Sequence, residues 1–143
     1  MMQLENILSV LSGHSVNFVV VGGYAAAFHG STSLTRLLHI CYDRTPENME
    51  QLASALLPHH PQLRGAPRGV PFVFDARTLS NGMNFTLQTD LGDVDLLGRL
   101  DGVGGFAEVA RDSVIMELLD KSTAWHLLMR SFAPRRQQDA RRI

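Results

Sequence analysis

The chain lacks the features of a secreted or membrane-spanning protein. Cys41 is the single cysteine among 143 residues, so no disulfide can form within the chain and a disulfide-stabilised fold is excluded. No apolar run reaches the ~20 residues that a membrane-spanning helix requires. The N-terminus has no basic flank followed by an apolar block, which a secretory signal would show. These absences predict a soluble protein of the cytoplasm.

The chain also lacks an excess of charge of either sign. Its 13 Lys and Arg residues nearly balance its 14 Asp and Glu residues, for a formal net charge of -1. Bulk electrostatics therefore favour binding neither to nucleic acid nor to membranes. Apolar residues are plentiful at 45%, and at this length they predict one domain with a real core. We expect a single domain over residues 1–143.

Hydrophobic periodicity predicts alternating helices and strands in the N-terminal half. The helices are expected over residues 4–12, 24–29 and 46–57, and the strands over residues 16–21 and 37–42. The third helix has the clearest start, because Thr45 is a good N-cap and Pro46 suits the first helical position. Gly13 and Pro58 are expected to end the first and third helices.

The C-terminal half begins with a loop rich in proline and glycine over residues 58–71 and an extended piece at residues 72–74. Alternating apolar residues then predict a hairpin of two strands, 83–87 and 94–97, around a tight reversal. A short helix over 104–111 and a strand over 114–118 follow. The spacing of Trp125, Leu128, Met129 and Phe132 predicts a last helical face from about residue 120. We expect an α/β or α+β fold with helices packed on a mixed sheet.

The C-terminal segment from about residue 120 is also basic. Residues 130–142 hold five arginines against one acid, Asp139. A patch of this kind can contact RNA phosphates. A solvated chain end is the simpler interpretation.

Gly22 and Gly23 follow the first predicted strand and precede a predicted short helix. Glycines at such a turn let the backbone approach a ligand, and the helix N-terminus offers free N–H groups to a phosphate. The pattern is neither a P-loop nor the dinucleotide-binding fingerprint. Taken alone, the two glycines are better explained by the geometry of a tight turn.

The longer stretch FVVVGGYAAAFHGSTSLTRLLHICYDRTPENMEQLASAL (residues 18–56) is more specific. It resembles the nucleotidyltransferases of the DNA polymerase beta superfamily, and most of all the minimal bacterial branch that includes toxin components of toxin–antitoxin and abortive-infection systems. The resemblance extends over roughly residues 4–97. It implies a nucleoside triphosphate and Mg²⁺ as ligands, with Gly22, Gly23 and Thr35 on the nucleotide-binding side.

Members of that family hold Mg²⁺ with an Asp-x-Asp pair on the second strand and a third carboxylate on a later strand. Two acids at this spacing share one face of a strand, and the metal ions bind the phosphates and activate the attacking hydroxyl. This chain has Leu37 and His39 at the two aspartate positions. The resemblance places the third carboxylate at Asp95, and Asp93 lies two residues before it.

Three hypotheses follow. In the first, the chain is a nucleotidyltransferase-fold protein that has lost catalysis, because Leu37 cannot bind a metal and Mg²⁺ prefers oxygen to the imidazole of His39. It would keep nucleotide binding at Gly22–Gly23. In the second, it is an active transferase with rearranged ligands: Asp95 as metal ligand, with Asp93 and either His39 or Glu117. In the third, it is a non-catalytic interaction module, as a homodimer or with an antitoxin-type partner.

Each candidate catalytic residue also has a structural explanation. His39 could be a core or rim histidine with a local hydrogen bond, and such inferences from residue type are probabilistic. Asp93 could serve only the hairpin turn.

Overall fold

The computed structural model describes residues 4–21, 37–67, 69–120 and 123–130. The helices within these ranges are α1 (Leu4–Gly13), α2 (Pro46–Leu56), α3 (Ala76–Asn81) and α4 (Phe106–Arg111). The strands are β1 (Phe18–Val21), β2 (Leu37–Tyr42), β3 (Gln62–Leu63), β4 (Asn84–Thr89), β5 (Gly92–Leu97), β6 (Arg99–Leu100), β7 (Gly104–Gly105), β8 (Val114–Asp120) and β9 (Thr123–Arg130).

Seven of the strands form one mixed sheet in the order β3-β4-β5-β2-β1-β9-β8, and β6 pairs with β7 separately. The contacts of β2 with β5 and of β1 with β9 are parallel, whereas the other neighbours in the large sheet are antiparallel. The predicted class, helices packed on a mixed sheet, is confirmed. None of the helices in the described ranges is both long and apolar enough to cross a bilayer.

The two faces of the sheet bury different residues, because successive side chains on a strand point to opposite sides. Helices α1, α2 and α3 cover the larger core, to which the sheet contributes Val20, Leu38, Ile40, Leu87 and Leu96. The opposite face carries a smaller cluster in which Val19, Val21 and Cys41 pack with Val109 of α4. Within the described residues, α4 therefore covers only part of the second face.

Helix α2 begins at the cap that the sequence predicts. The Thr45 side chain accepts a hydrogen bond from the Asn48 backbone N–H, and Pro46 stands at the first turn. Asn48 is 2% exposed. Its Oδ1 accepts from the Asn17 N–H at 2.7 Å, and its Nδ2 donates to the carbonyl oxygens of Asn17 at 3.1 Å and Asp43 at 2.7 Å. These bonds hold α2 against the start of β1 and the end of β2.

Most of the predicted elements in the described ranges are confirmed, including α1, β1, β2, α4, β8 and the hairpin of β4 and β5. The loop after α2 contains a 3₁₀ turn, Leu57–His59, and the short strand β3. Helix α3 was not expected, although Asp75 caps it by accepting a hydrogen bond from the Thr78 N–H at 2.8 Å. The helix predicted over residues 24–29 lies outside the described residues.

The predicted helix from about residue 120 is wrong over residues 123–130, which form β9. This strand pairs antiparallel with β8 and parallel with β1, where Val19, Val20 and Val21 lie opposite Leu128, Met129 and Arg130. The open edge of β1 decides the outcome, because pairing there satisfies the backbone groups of both strands. Phe132 and the arginine-rich end lie outside the described residues.

Candidate functional site

A row of polar side chains crosses four neighbouring strand positions on the face opposite α1, α2 and α3. Asp95 of β5 lies opposite His39 of β2 on one side and opposite Thr86 of β4 on the other. Arg64 continues the row just beyond β3, since its N–H donates to the Thr86 carbonyl at 2.9 Å. The sheet register therefore brings His39 and Asp95 together.

The Arg64 guanidinium reaches over β4 to Asp95. Its Nη2 donates to Asp95 Oδ1 at 2.7 Å, and its Nη1 donates to the Leu87 carbonyl at 3.5 Å. The Arg64 side chain is 29% exposed and the Asp95 side chain 14% exposed. A charge-assisted hydrogen bond in this partly buried setting is stronger than a solvated surface pair. Asp95 therefore has a cation supplied by the chain itself.

His39 meets the same carboxylate from the other side. Its Nε2 lies 3.2 Å from Asp95 Oδ2, yet this buried nitrogen has no well-aligned hydrogen-bond partner among the described residues. Because a hydrogen bond weakens steeply when donor and acceptor are poorly aligned, this contact between His39 and Asp95 is weaker than the bond from Arg64. Asp95 is thus placed between a guanidinium and an imidazole.

Asp93 is the more open of the two carboxylates. Its side chain is 43% exposed, and its Oδ2 lies 4.0 Å from Arg64 Nη1. In the sheet register it faces Gln88 of β4 and Leu37 of β2. Asp93 and Asp95 share a face, as predicted, and with the imidazole neutral these two acids and Arg64 leave one net negative charge.

The described residues contain no group of three or more His, Cys, Asp or Glu side chains placed to hold a metal ion. Asp95 is the predicted metal ligand, and a metal bound through both of its carboxylate oxygens would have to displace Arg64 from Oδ1. His39 Nε2 and Asp95 Oδ2 are the two donor atoms that lie closest to a shared position. The donor set thus offers one imidazole and the carboxylates of β5, which fits a transition metal better than Mg²⁺.

Glu117 cannot join Asp93 and Asp95 at one metal ion. It belongs to β8, and the order β5-β2-β1-β9-β8 puts three strands between β8 and β5. Four strand spacings amount to about 19 Å, which is beyond the reach of two carboxylates towards a common cation. The arrangement of ligands that includes Glu117 is therefore wrong.

The part of this face under α4 is apolar and unreactive. Cys41 is fully buried, and burial, helped by the negative charge of Glu108, raises the pKa of its thiol to about 11. A thiol that keeps its proton is a poor nucleophile. Cys41 is therefore a small buried residue of the core.

Gly22, Gly23 and Thr35, the residues predicted to bind the nucleotide, lie outside the described residues. The described part of the chain stops at Val21 and resumes at Leu37. Val21, immediately before Gly22, lies opposite His39 in the register of β1 and β2. The His39–Asp95 contact is therefore one strand spacing, about 5 Å, from the end of β1.

Arg64 is the member of the site that sequence reasoning missed. It stands in a segment of prolines and glycines, and a strand of only two residues precedes it. Nothing in its sequence context indicates a partner thirty-one positions away. The only available indication was Asp95 itself. A partly buried carboxylate is costly unless it is paired with a cation or accepts a hydrogen bond.

Comparison of the chain with protein-family models, with curated proteins and with solved structures finds no match in any of the three.

Proposed function

We propose that this chain is a nucleotidyltransferase-fold protein that has lost two-metal nucleotidyl transfer and that binds a nucleotide at the Gly22–Gly23 segment. The observation that supports the loss is the 2.7 Å bond from Arg64 Nη2 to Asp95 Oδ1. Asp95 is the acid that corresponds to the family's third metal ligand. Here an internal guanidinium supplies the positive charge that a metal ion would bring.

The residues opposite Asp93 and Asp95 strengthen this proposal. Leu37 faces Asp93 and His39 faces Asp95, so the two positions that would complete a metal clamp hold a hydrocarbon and an imidazole. Catalysis by two metal ions needs them about 3.5–4 Å apart between shared ligands. Two carboxylates from a single strand, one of them bonded to arginine, do not provide that clamp for Mg²⁺.

Support for nucleotide binding comes from the strand that leads into the glycines. Val19, Val20 and Val21 are at most 2% exposed, so β1 is a rigid buried strand that ends beside the His39–Asp95–Arg64 row. Phosphates bound just beyond it would meet backbone N–H groups, with His39 on the neighbouring strand β2. The Arg64 guanidinium, bonded to Asp95 of β5, lies two strand spacings from β1. Binding of this kind does not require a divalent cation.

Calorimetry with ATP, CTP, GTP and UTP, each in Mg²⁺ and in EDTA, tests the binding half of the proposal. We expect at least one nucleotide to bind, with dissociation constants in the two buffers that agree within about threefold, or under 1 kcal/mol. Gly22→Val should abolish binding. Gly13→Val is the matched control, since Gly13 ends α1 and a Cβ there meets no atom within 4 Å.

A transfer assay with labelled nucleotides tests the catalytic half. We expect no labelling of RNA, protein or small acceptors. Mg²⁺-dependent labelling that Asp95→Asn abolishes would overturn the proposal in favour of an active transferase with rearranged ligands. If no nucleotide binds at all, the nucleotide half fails and the interaction module remains, which light scattering then tests through the oligomeric state.

Rebuilding the acidic pair provides a positive test of the same site. Leu37→Asp with His39→Asp and Arg64→Met should create a Mn²⁺ site that electron paramagnetic resonance detects. The matched control keeps Arg64 and should bind Mn²⁺ at least about tenfold more weakly, because the guanidinium competes for Asp95 and repels the cation. Equal affinities would show that Arg64 does not occupy the metal position.

A further inference from the structure

Charge is distributed unevenly along the chain. Residues 131–143, which we call the basic segment, hold four arginines and one acid, for a formal net charge of +3. Because the whole chain has a net charge of -1, residues 1–130 have a net charge of -4. A strongly basic segment therefore follows directly on an acidic part of the same chain, and opposite charges of this kind attract each other.

The basic segment follows β9, and the sheet register shows where it begins. Arg130, the last residue of β9, lies opposite Val21 at the end of β1. Val21 lies opposite His39 of β2, and His39 lies opposite Asp95 of β5. Arg130 and Asp95 are therefore in one row of the sheet, three strand spacings or about 14 Å apart.

Two exposed carboxylates stand at the edge of the sheet at which β9 ends. Strands β2 and β5 run antiparallel to β1, so the residues that precede Asp95 lie further towards this edge. Asp93 lies two residues before Asp95, and Asp90 is in the turn between β4 and β5. Their side chains are 43% and 59% exposed. We call Asp90 and Asp93 the acidic edge.

The described cations near the acidic edge leave it able to bind more. Arg64 is the ion-pair partner of Asp93 among the described residues, but its Nη1 is 4.0 Å from Asp93 Oδ2 because its Nη2 is bonded to Asp95. His60 contacts Asp90 through a single nitrogen, Nδ1. A carboxylate can accept about four hydrogen bonds and can pair with arginine through both oxygens.

Arg135 is the first arginine of the basic segment, and the geometry allows it to reach the acidic edge. Three strand spacings across the sheet and two residues along it separate Arg130 from Asp93, a distance of about 16 Å. Five extended residues span about 17 Å, which is the length of chain from Arg130 to Arg135. The contact therefore needs no rearrangement of the sheet.

We propose that the basic segment docks on the acidic edge of the same chain, where Arg135 and Arg136 pair with Asp93 and Asp90. Docking places the segment along the part of the sheet face that α4 leaves uncovered. Exposed ion pairs are individually weak and sensitive to salt. The short connection to β9 compensates by giving an effective concentration in the millimolar range. The contact requires no nucleotide, so it goes beyond the proposed function and does not depend on it.

A spin label in the basic segment tests the proposal on the full chain. Gln137→Cys provides the attachment point, and Cys41 should not react because it is fully buried and its pKa is raised to about 11. In about 0.1 M salt, where the Debye length is about 10 Å, the label should broaden the amide signals of Asp90 and Asp93 in ¹⁵N NMR spectra. Signals from α2 should stay sharp. In about 1 M salt the Debye length is about 3 Å, and the broadening should largely disappear.

Neutralising the acidic edge supplies the matched variants. Asp90→Asn with Asp93→Asn should reduce the broadening about threefold or more, the loss expected when exposed ion pairs are removed. Glu50→Gln removes an exposed acid from α2 on the other side of the sheet and should leave the broadening unchanged. Thermal melts of the labelled proteins should agree, since all three acids are exposed.

Mixing an unlabelled-isotope, spin-labelled chain with a ¹⁵N chain that has no spin label distinguishes the two possible sources of the segment. Broadening in this mixture would show that the segment of a second copy docks, and it would overturn the proposal. No broadening at the acidic edge in low salt, or broadening that the two Asn substitutions leave unchanged, would also overturn it. Each of these results would leave the nucleotide-binding proposal standing, because that is tested by calorimetry alone.

Discussion

Loss of Arg64 should expose how much the Asp95 contact contributes to folding. Two unit charges about 4 Å apart attract by about 4 kcal/mol at an effective dielectric constant of 20. The side chains are 29% and 14% exposed, so water screens part of this attraction, and a hydrogen bond to a charged group has a net value of about 1.5–3 kcal/mol. We expect Arg64→Met to lower the free energy of unfolding by about 2 kcal/mol, because Asp95 keeps its charge in a partly buried site.

Asp95→Asn and the double variant complete a thermodynamic cycle that isolates the pair. Urea unfolding of the four proteins should give a coupling energy of about 1–2 kcal/mol. The exposed pair of His60 and Asp90, whose side chains are 77% and 59% exposed, is the internal control and should couple by less than about 0.5 kcal/mol. An Arg64–Asp95 coupling as small as that of the control would refute the argument that Arg64 acts as the cation of the site.

Three other changes have definite expected outcomes. Asn48→Ala should cost about 2–4 kcal/mol in urea unfolding, because it removes three hydrogen bonds of a side chain whose residue is 2% exposed, each with a net value of about 1 kcal/mol. A loss below about 1 kcal/mol would contradict this. Gly98→Ala should cost about 1–3 kcal/mol, since its Cβ would lie 2.7 Å from the Met83 carbonyl oxygen, whereas Gly13→Ala has open space and should change stability little. The pKa of the Cys41 thiol is near its ordinary value of 9.0 in the unfolded chain and about 11 in the folded one, so the free energy of unfolding should fall as pH rises from 9 towards 11. Cys41→Ala should flatten this pH dependence. Equal slopes for the two proteins would disprove the raised pKa of Cys41.

Local sequence patterns predict the elements that carry their own start, stop and periodicity. Thr45 and Pro46 define the start of α2, and the β-branched run up to Val21 defines β1, because caps and branched side chains restrict the backbone directly. The short α3 has a cap at Asp75 but only six residues, too few to establish a helical period. Its existence follows from packing of Leu79 into the core.

The error at β9 has a physical cause of a different kind. Trp125, Leu128 and Met129 fit the spacing of one helix face, but the same segment can equally extend as a strand. Tertiary pairing with β1 decides between the two, and no window of sequence contains both partners. Propensity is a weak prior in such a segment.

The candidate site divides in the same way. The approach of His39 to Asp95 could be predicted, because the resemblance aligned both positions with a known arrangement of strands. Arg64 could not, since its place depends on the two-residue strand β3 and on the register of β4. The Arg64 side chain crosses two strand spacings, about 10 Å. Its contact with Asp95 depends on the order of strands in the folded sheet, which leaves no periodic pattern in the sequence.

The brevity of β3 also limits the strand edge that this side of the sheet offers to other chains. An open strand edge is a template on which other chains assemble into aggregates. Here β3 pairs with Leu87 and Gln88 and is followed within a few residues by Pro67 and Pro71, which have no N–H to offer a further strand. The segment after α2 therefore limits strand pairing at this edge of the sheet. Replacing its prolines would lengthen the strand edge on which copies of the chain can polymerise.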